Sequence, residues 1–150
     1  MSLQKRLTPL PHTNPFESDD RLFEFQKKII QELARTESCV IVGKCADYVL
    51  QDFDNVLSVY VEARRVFCVD RVMKTMNVSE SEAHSLIAKT DKYRAEYYKY
   101  YTGGNYWTNP VNYDMTLNSG RWSIDQCVDL IVQALQIKFG DDCKKAFPFI

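Results

Sequence analysis

Three short apolar runs alternate with helix-like segments along this chain, and that alternation limits the fold more than any other feature. The runs cover residues 39–43 (CVIVG), 56–62 (VLSVYVE) and 113–119 (YDMTLNS). Short runs of this kind, rich in β-branched side chains and closed by Gly or polar residues, are typical of buried strands. Because helical segments separate the strands, the order predicts an α/β fold with a parallel sheet covered by helices on both faces.

The segments around the runs carry recognisable helix signals. Ser18 and the two acidic residues after it predict the start of a helix that continues to about residue 36. Ser79 and Glu82 have the spacing of a capping box at the start of a long helix. Further helices are predicted over residues 44–52, 63–76, 79–101 and 123–140.

The chain length and its prolines predict one domain with an extended lead-in. The 150 residues are a common domain size. Three prolines within residues 1–17 favour an extended lead-in there, so residues 18–150 are expected to form the single domain.

Composition excludes several classes of function. With 19 basic and 20 acidic residues the net charge is −1, which argues against bulk binding of nucleic acid through its backbone. No apolar run approaches the roughly 20 residues that span a bilayer, and no secretory signal is visible. The five cysteines are odd in number and form no C-x-x-C pair, which predicts free thiols in the cytoplasm and no metal site. Cys39, Cys68 and Cys127 lie in apolar stretches and are expected to be buried.

The first predicted strand is followed by residues suited to a phosphorylated ligand. In open parallel sheets, ligands bind beyond the carboxyl ends of the strands. Gly43 allows close approach of the backbone, and Lys44 offers a mobile positive charge for a phosphate. Asp47, one turn further on, can accept from a ribose, a base amine or Lys44 itself. A plain strand-to-helix turn with a solvated lysine explains the same residues, and both interpretations stand.

A second basic region spans the two predicted helices between residues 64 and 102. Residues 64–99 contain eight basic and five acidic side chains, and phosphoryl groups require such an excess of cations. If the two helices form a hairpin lid, Arg71 and Arg94 can converge. Asp91 lies three residues before Arg94 and can orient its guanidinium. The alternative is a charged, solvated helix face.

Tyrosines are dense at the end of the long helix. Tyr93, Tyr97 and Tyr101 share one face at a spacing of four residues. They can stack on a nucleobase, but packing of the helix on the sheet is the favoured interpretation.

Taken together and in order, four segments resemble the cytidylate-kinase-like family, which belongs to the nucleoside-monophosphate kinases of the P-loop class. The resemblance covers about residues 20–138, and its most specific pieces are V-G-x-C-A-D, T-D-x-x-R-x-x-Y-Y and Y-D-x-x-L-N-S. The segments are CVIVGKCADYVL (39–50), VLSVYVEA (56–63), the stretch 71–98 and the stretch 107–131.

The resemblance implies a parallel sheet of the P-loop kinase type with a helical-hairpin lid at residues 64–102. It also implies transfer of the ATP γ-phosphoryl group, with Mg²⁺, to a pyrimidine monophosphate such as CMP. Arg71 matches a lid arginine, and Asp91 with Arg94 matches the D-x-x-R of the second lid helix; these three are the expected catalytic residues. Gly43, Lys44 and Asp47 match the segment that contacts the acceptor nucleotide.

The departures from the family pattern matter more for the expected function than the matches do. The family's first strand, which is central in its sheet, and the Gly-rich phosphate loop after it have no counterpart here, and no G-x-x-x-x-G-K-(S/T) occurs in the chain. Lys44 replaces the usual Arg, and Cys68 stands where an Arg is common.

These departures change the expected function. We expect a sheet that is incomplete at its N-terminus, weak or no kinase activity from this chain alone, and no assignable cofactor-binding residues. The alternative function is a non-catalytic module that binds a nucleotide or a protein, as a homo-oligomer or with a strand-donating partner.

Overall fold

Helices make up most of the computed structural model, which describes Phe16, residues 19–140 and Cys143. The elements are α1 (Asp20–Thr36), α2 (Ala46–Val49), β1 (Val59–Glu62), α3 (Arg65–Met76), α4 (Glu80–Tyr101), a 3₁₀ turn (Pro110–Asn112), β2 (Met115–Asn118) and α5 (Ile124–Phe139). The predicted cap Ser18 and nearly all of the predicted lead-in lie outside the described residues.

The two described strands pair in parallel. Val59 lies opposite Met115 and Glu62 lies opposite Asn118, so the carboxyl ends of β1 and β2 meet at one edge. Helices α3 and α4 pack against each other and form the connection between the strands. The mixed helix and strand architecture confirms the α/β prediction, whereas a sheet of the P-loop kinase type, incomplete at its N-terminus, stays a prediction.

The third predicted strand, at residues 39–43, is wrong. This segment contains no strand residues, and Val40 and Val42 are 84% and 86% exposed while Ile41 packs against the core. A strand needs a neighbour for its backbone groups, and among the described residues the segment has no strand beside it. Within the described residues the sheet is therefore two-stranded, and Val61 and Glu62 at the end of β1 are exposed.

The helix ends follow the predicted caps. Ser79 and Glu82 form a complete capping box at the start of α4, and Ser123 forms the same arrangement with Gln126 at the start of α5. Gly140 has a φ of 59° where α5 ends, a left-handed conformation that glycine adopts without strain.

The main core lies between α1, α2 and the second half of α4. Its buried residues come from these helices and the turn before α2: Phe23, Ile30, Ala34, Cys45, Ala46, Val49, Leu50 and Tyr98. The face formed by Tyr93, Tyr97 and Tyr101 packs on Phe16 and Phe23, not on the sheet. The prediction that this face covers the sheet is wrong, because α1 provides a large apolar stripe that the aromatic rings can bury.

All five cysteines are free. Cys127 is buried as expected and Cys68 is half-buried, but Cys39 is exposed because the segment around it is not part of a sheet. None of the described helices is long and apolar enough to cross a membrane.

Candidate functional site

The carboxyl edge of the strand pair is held together by short hydrogen bonds. The backbone N–H of Ser119 donates to the carbonyl of Glu62 at 2.8 Å, and the N–H of Gly120 donates to the side chain of Asn118 at 3.1 Å. A Cβ at Gly120 would lie 3.4 Å from the Ala63 side chain, so the two loops approach closely. The loops that follow β1 and β2 are therefore adjacent.

An arginine at the start of α3 connects this edge to α4. The guanidinium of Arg65 lies 3.2 Å from the carboxylate of Asp91 and also donates to the carbonyl of His84 at 3.0 Å. The other oxygen of Asp91 lies 3.9 Å from the guanidinium of Arg94. Asp91 thus sits between two guanidinium groups. Its contact with Arg94 is the one expected from their spacing, while the catalytic role of the pair stays a prediction.

Three aromatic rings lie close to these charges. The ring of Tyr60 on β1 stacks on Tyr113 at 5.2 Å and meets Trp107 edge to face at 5.6 Å. Burial raises the pKa of Tyr60, the carboxylates of Glu62 and Asp91 raise it further, and Arg94 acts in the opposite direction. Tyr60 is therefore within electrostatic reach of Asp91 and Arg94.

Sequence reasoning did not select Arg65 or Tyr60 as site residues. Arg65 is separated from Asp91 by 26 positions, so no local spacing indicates the contact. A tyrosine between two valines in a strand is a signal that a ring projects from one face, but it does not identify the neighbours of that ring.

Arg71 is exposed on α3, six residues beyond Arg65. Six residues advance about 9 Å along a helix and turn the side chain away from the direction of Arg65. Within the described chain, no hydrogen bond or ion pair joins Arg71 to Arg94 or to Lys44. The helices do form a hairpin, but the convergence of Arg71 with Arg94 stays a prediction.

The turn before α2 has an unusual backbone. Gly43, Lys44 and Cys45 have φ angles of 72°, 58° and 54° in succession, and the left-handed region is costly for the two residues that carry a Cβ. This turn leaves Lys44 exposed and directs Cys45 into the core. Burial, followed by the charge of Asp47, raises the pKa of the Cys45 thiol to about 12. Cys45 is therefore an unreactive core residue.

Asp47 has a partner that the sequence did not indicate. The hydroxyl of Tyr98 donates to one carboxylate oxygen of Asp47 at 2.6 Å. Asp47 makes no ion pair with Lys44 in the part of the chain that the structure describes. One oxygen of Asp47 thus serves to connect α2 with α4, and only the other is open to a ligand.

The residues present do not fit a complex of ATP with Mg²⁺. The described residues include no group of three His, Cys, Asp or Glu side chains suited to a metal ion. The chain also lacks the phosphate-loop pattern whose backbone amides and hydroxyl hold the nucleotide and the ion. We therefore assign no residue of this chain to either group.

Comparison with known proteins identifies the family of this chain. The sequence profile of the cytidylate kinase-like family matches residues 2–121, and the chain belongs to that family. A solved structure of an uncharacterized protein from Eubacterium ventriosum is similar, with 28% identity and a TM-score of 0.73 over 79% of this chain and 74% of that chain. Curated protein sequences give no match.

Proposed function

We propose that this chain binds a nucleoside monophosphate, of which CMP is the first choice, at the carboxyl edge of the strand pair. The observation that supports this most is the arrangement of Arg65, Asp91 and Arg94 beside the aromatic group. Guanidinium forks match phosphate oxygens in geometry and charge, and aromatic rings stack on bases. The proposal thus places both recognition elements of a nucleotide within reach of each other.

The proposed roles follow from the chemistry of each side chain. Arg94 contacts the phosphate, Asp91 orients Arg94, and Arg71 is a second cation from the lid. Gly43 and Lys44 bind the acceptor nucleotide from the turn before α2, with the free oxygen of Asp47. Lys44 supplies a point charge instead of a fork, which weakens its geometric selectivity.

We further propose that the chain alone transfers phosphate weakly or not at all. Phosphoryl transfer depends on groups that neutralise the β- and γ-phosphates of the donor, usually with Mg²⁺. Family membership supports a kinase-like function, whereas the given chain contains no G-x-x-x-x-G-K-(S/T) pattern to hold the phosphates of the donor. Formation of ADP from ATP and CMP in proportion to chain concentration, with contaminating kinase excluded, would contradict this.

The binding proposal is tested by thermal unfolding with CMP and with cytidine. A ligand that binds only the folded state raises the melting temperature by mass action, and we expect this for CMP far more than for cytidine. Arg94→Ala should weaken the affinity for CMP by about tenfold or more, since it removes a charged hydrogen bond to the phosphate. Lys74→Ala, which removes an exposed ion pair on the same hairpin, is the matched control and should bind as wild type. Equal binding by Arg94→Ala and wild type contradicts the site.

One observation favours a second function, as an interaction module. Strand β1 pairs along one edge only within the described chain, and Val61 on β1 is 52% exposed. An open edge with apolar side chains is suited to addition of a strand from a partner or a second copy. A module of this kind forms dimers or larger species and is not stabilised by CMP, so the same unfolding experiment separates the two functions.

A further inference from the structure

A cavity of about 330 Å³ lies at the amino-terminal edge of the strand pair, away from the arginines. Ser58 and Asp114, which immediately precede β1 and β2, line it together with Asp47, Tyr98 and Lys138. The volume equals that of about ten water molecules and lies at the lower end of the range for small-molecule sites.

Three hydrogen-bond donors around this cavity, those of Lys138, Tyr98 and Tyr113, already have partners within the protein. Lys138 donates to the carbonyl of Val56 and to Asp114, both at 2.8 Å. The hydroxyl of Tyr98 donates to Asp47 at 2.6 Å, and the hydroxyl of Tyr113 donates to the carbonyl of Trp107 at 2.6 Å. The positive charge of Lys138 is therefore already paired and is not open to an anion.

The acceptors are in the opposite situation. The hydroxyl oxygen of Ser58 is buried and has no hydrogen-bond partner among the described residues. One oxygen of Asp47 has no partner in the described chain, since Tyr98 donates to the other. The amide of Asn112 donates to the carbonyl of Tyr106 at 3.0 Å, which leaves its oxygen available. Three acceptors are thus open and line the same space.

The charges of the cavity favour the same kind of ligand. Asp47 and Asp114 bring two negative charges against the single positive charge of Lys138. The field of Asp47 reaches across the space, because it adds to burial in raising the pKa of Tyr113. A ligand that brings hydrogen-bond donors and a positive charge satisfies both the acceptors and the field.

We propose that this cavity binds a small organic cation with a primary amine or guanidinium group and up to about ten non-hydrogen atoms. Its charged end pairs with the free oxygen of Asp47, and Asn112 and Ser58 accept its remaining protons. This site shares Asp47 with the proposed nucleotide site, whereas Ser58 and Asn112 belong to the cavity alone and Arg94 lies outside its lining.

The test uses the full 150-residue chain and agmatine, a small molecule with an amine at one end and a guanidinium at the other. Titration at millimolar concentrations should shift the backbone amide resonances of residues around Ser58 and Asn112, while the uncharged diol 1,4-butanediol should not. Asp47→Asn keeps an oxygen for Tyr98 but removes the charge, and it should weaken agmatine binding by about tenfold or more.

Two controls keep the outcome decisive. Arg94→Ala, at the other edge of the sheet, should bind agmatine as wild type does. Ser58→Ala removes a cavity acceptor without changing the charge, and it should also weaken agmatine binding. This variant keeps the test decisive if Asp47→Asn proves unstable. Absence of localised shifts, or equal affinity in wild type and both cavity variants, overturns the proposal.

Discussion

The hydrogen bond from Tyr98 to Asp47 connects two helices that are 51 residues apart along the chain. Both groups lie at the edge of the core, where water cannot fully replace a lost partner. We expect Tyr98→Phe to lower the free energy of unfolding by about 1–2 kcal/mol. The Asp47 carboxylate would still be shielded from water but would no longer accept a hydrogen bond from Tyr98. Denaturant unfolding measures this, with Tyr106→Phe, at an exposed ring, as the control. Equal stability of the two variants would show that the bond is not stabilising.

Asp114 makes stability dependent on pH in the acid range. Burial raises the pKa of Asp114. Hydrogen bonds from Lys138 and from the backbone of Ser58, together with the charge of Lys138, lower it by more, so the net shift of the pKa is downward. A carboxyl with a lowered pKa in the folded state stabilises the fold above its unfolded pKa, about 3.9. That stability is lost as the pH falls through the folded pKa.

We therefore expect Lys138→Met to flatten the fall in unfolding free energy below about pH 4, measured by denaturant unfolding at several pH values. Some slope remains, because hydrogen bonds from the side chain and backbone of Ser79 also lower the pKa of Glu82. Lys74→Met, which removes the exposed pair with Asp70, is the control. An unchanged acid slope in Lys138→Met would contradict the role of Asp114.

Sequence reasoning at the residue scale succeeded where partners are near neighbours. The three-residue spacing of Asp91 and Arg94 places them on one helix face, and their groups lie 3.9 Å apart. Spacing carries no information about Arg65 with Asp91 or Tyr98 with Asp47, since tertiary packing brings those residues together. For this reason the bond from Tyr98 to Asp47 was not predicted, while the role of Asp47 towards a ligand stays a prediction.

The capping box of α4 is the element-scale feature most open to measurement. Ser79 accepts from the backbone N–H of Glu82, and the Glu82 carboxylate accepts from the backbone N–H of Ser79 at 2.9 Å. We expect Ser79→Ala to destabilise the chain by about 1 kcal/mol, because the backbone N–H of Glu82 loses its partner. Thermal or denaturant unfolding measures the loss. Ser85→Ala, inside the same helix, should be neutral or slightly stabilising, and a similar loss there would contradict the cap as the cause.

Helices were easier to predict than strands for a physical reason. A helix closes its hydrogen bonds within one segment, so the caps at Ser79 and Ser123 and the stop at Gly140 act where they stand in the sequence. A strand depends on a neighbour that can be distant. The run at 39–43 has strand composition but no pairing partner within the described chain, so composition alone overpredicted the sheet.

On the scale of the whole molecule, apolar surface and an open strand edge occur together. Val61 lies opposite Leu117 in the register, and Leu117 is buried whereas Val61 is half-exposed. In the described chain β1 also has no further strand beside it. Parallel strands are normally buried on both faces. The segment at residues 39–42 adds exposed valines. These features indicate a surface whose burial under another strand lowers the free energy of the system.

We therefore expect the chain to self-associate as its concentration rises, with β1 at the contact. Val61→Lys places a charge on the open edge and should shift the population towards monomer in size-exclusion chromatography with light scattering. Ile137→Lys removes an apolar side chain that is 86% exposed on α5 but leaves β1 unchanged, so it should associate like wild type. Equal loss of association in both variants would mean that general apolar contact, not strand pairing, joins the copies. A wild-type chain that stays monomeric would contradict the prediction, and stabilisation of that monomer by CMP would support nucleotide binding over the interaction module.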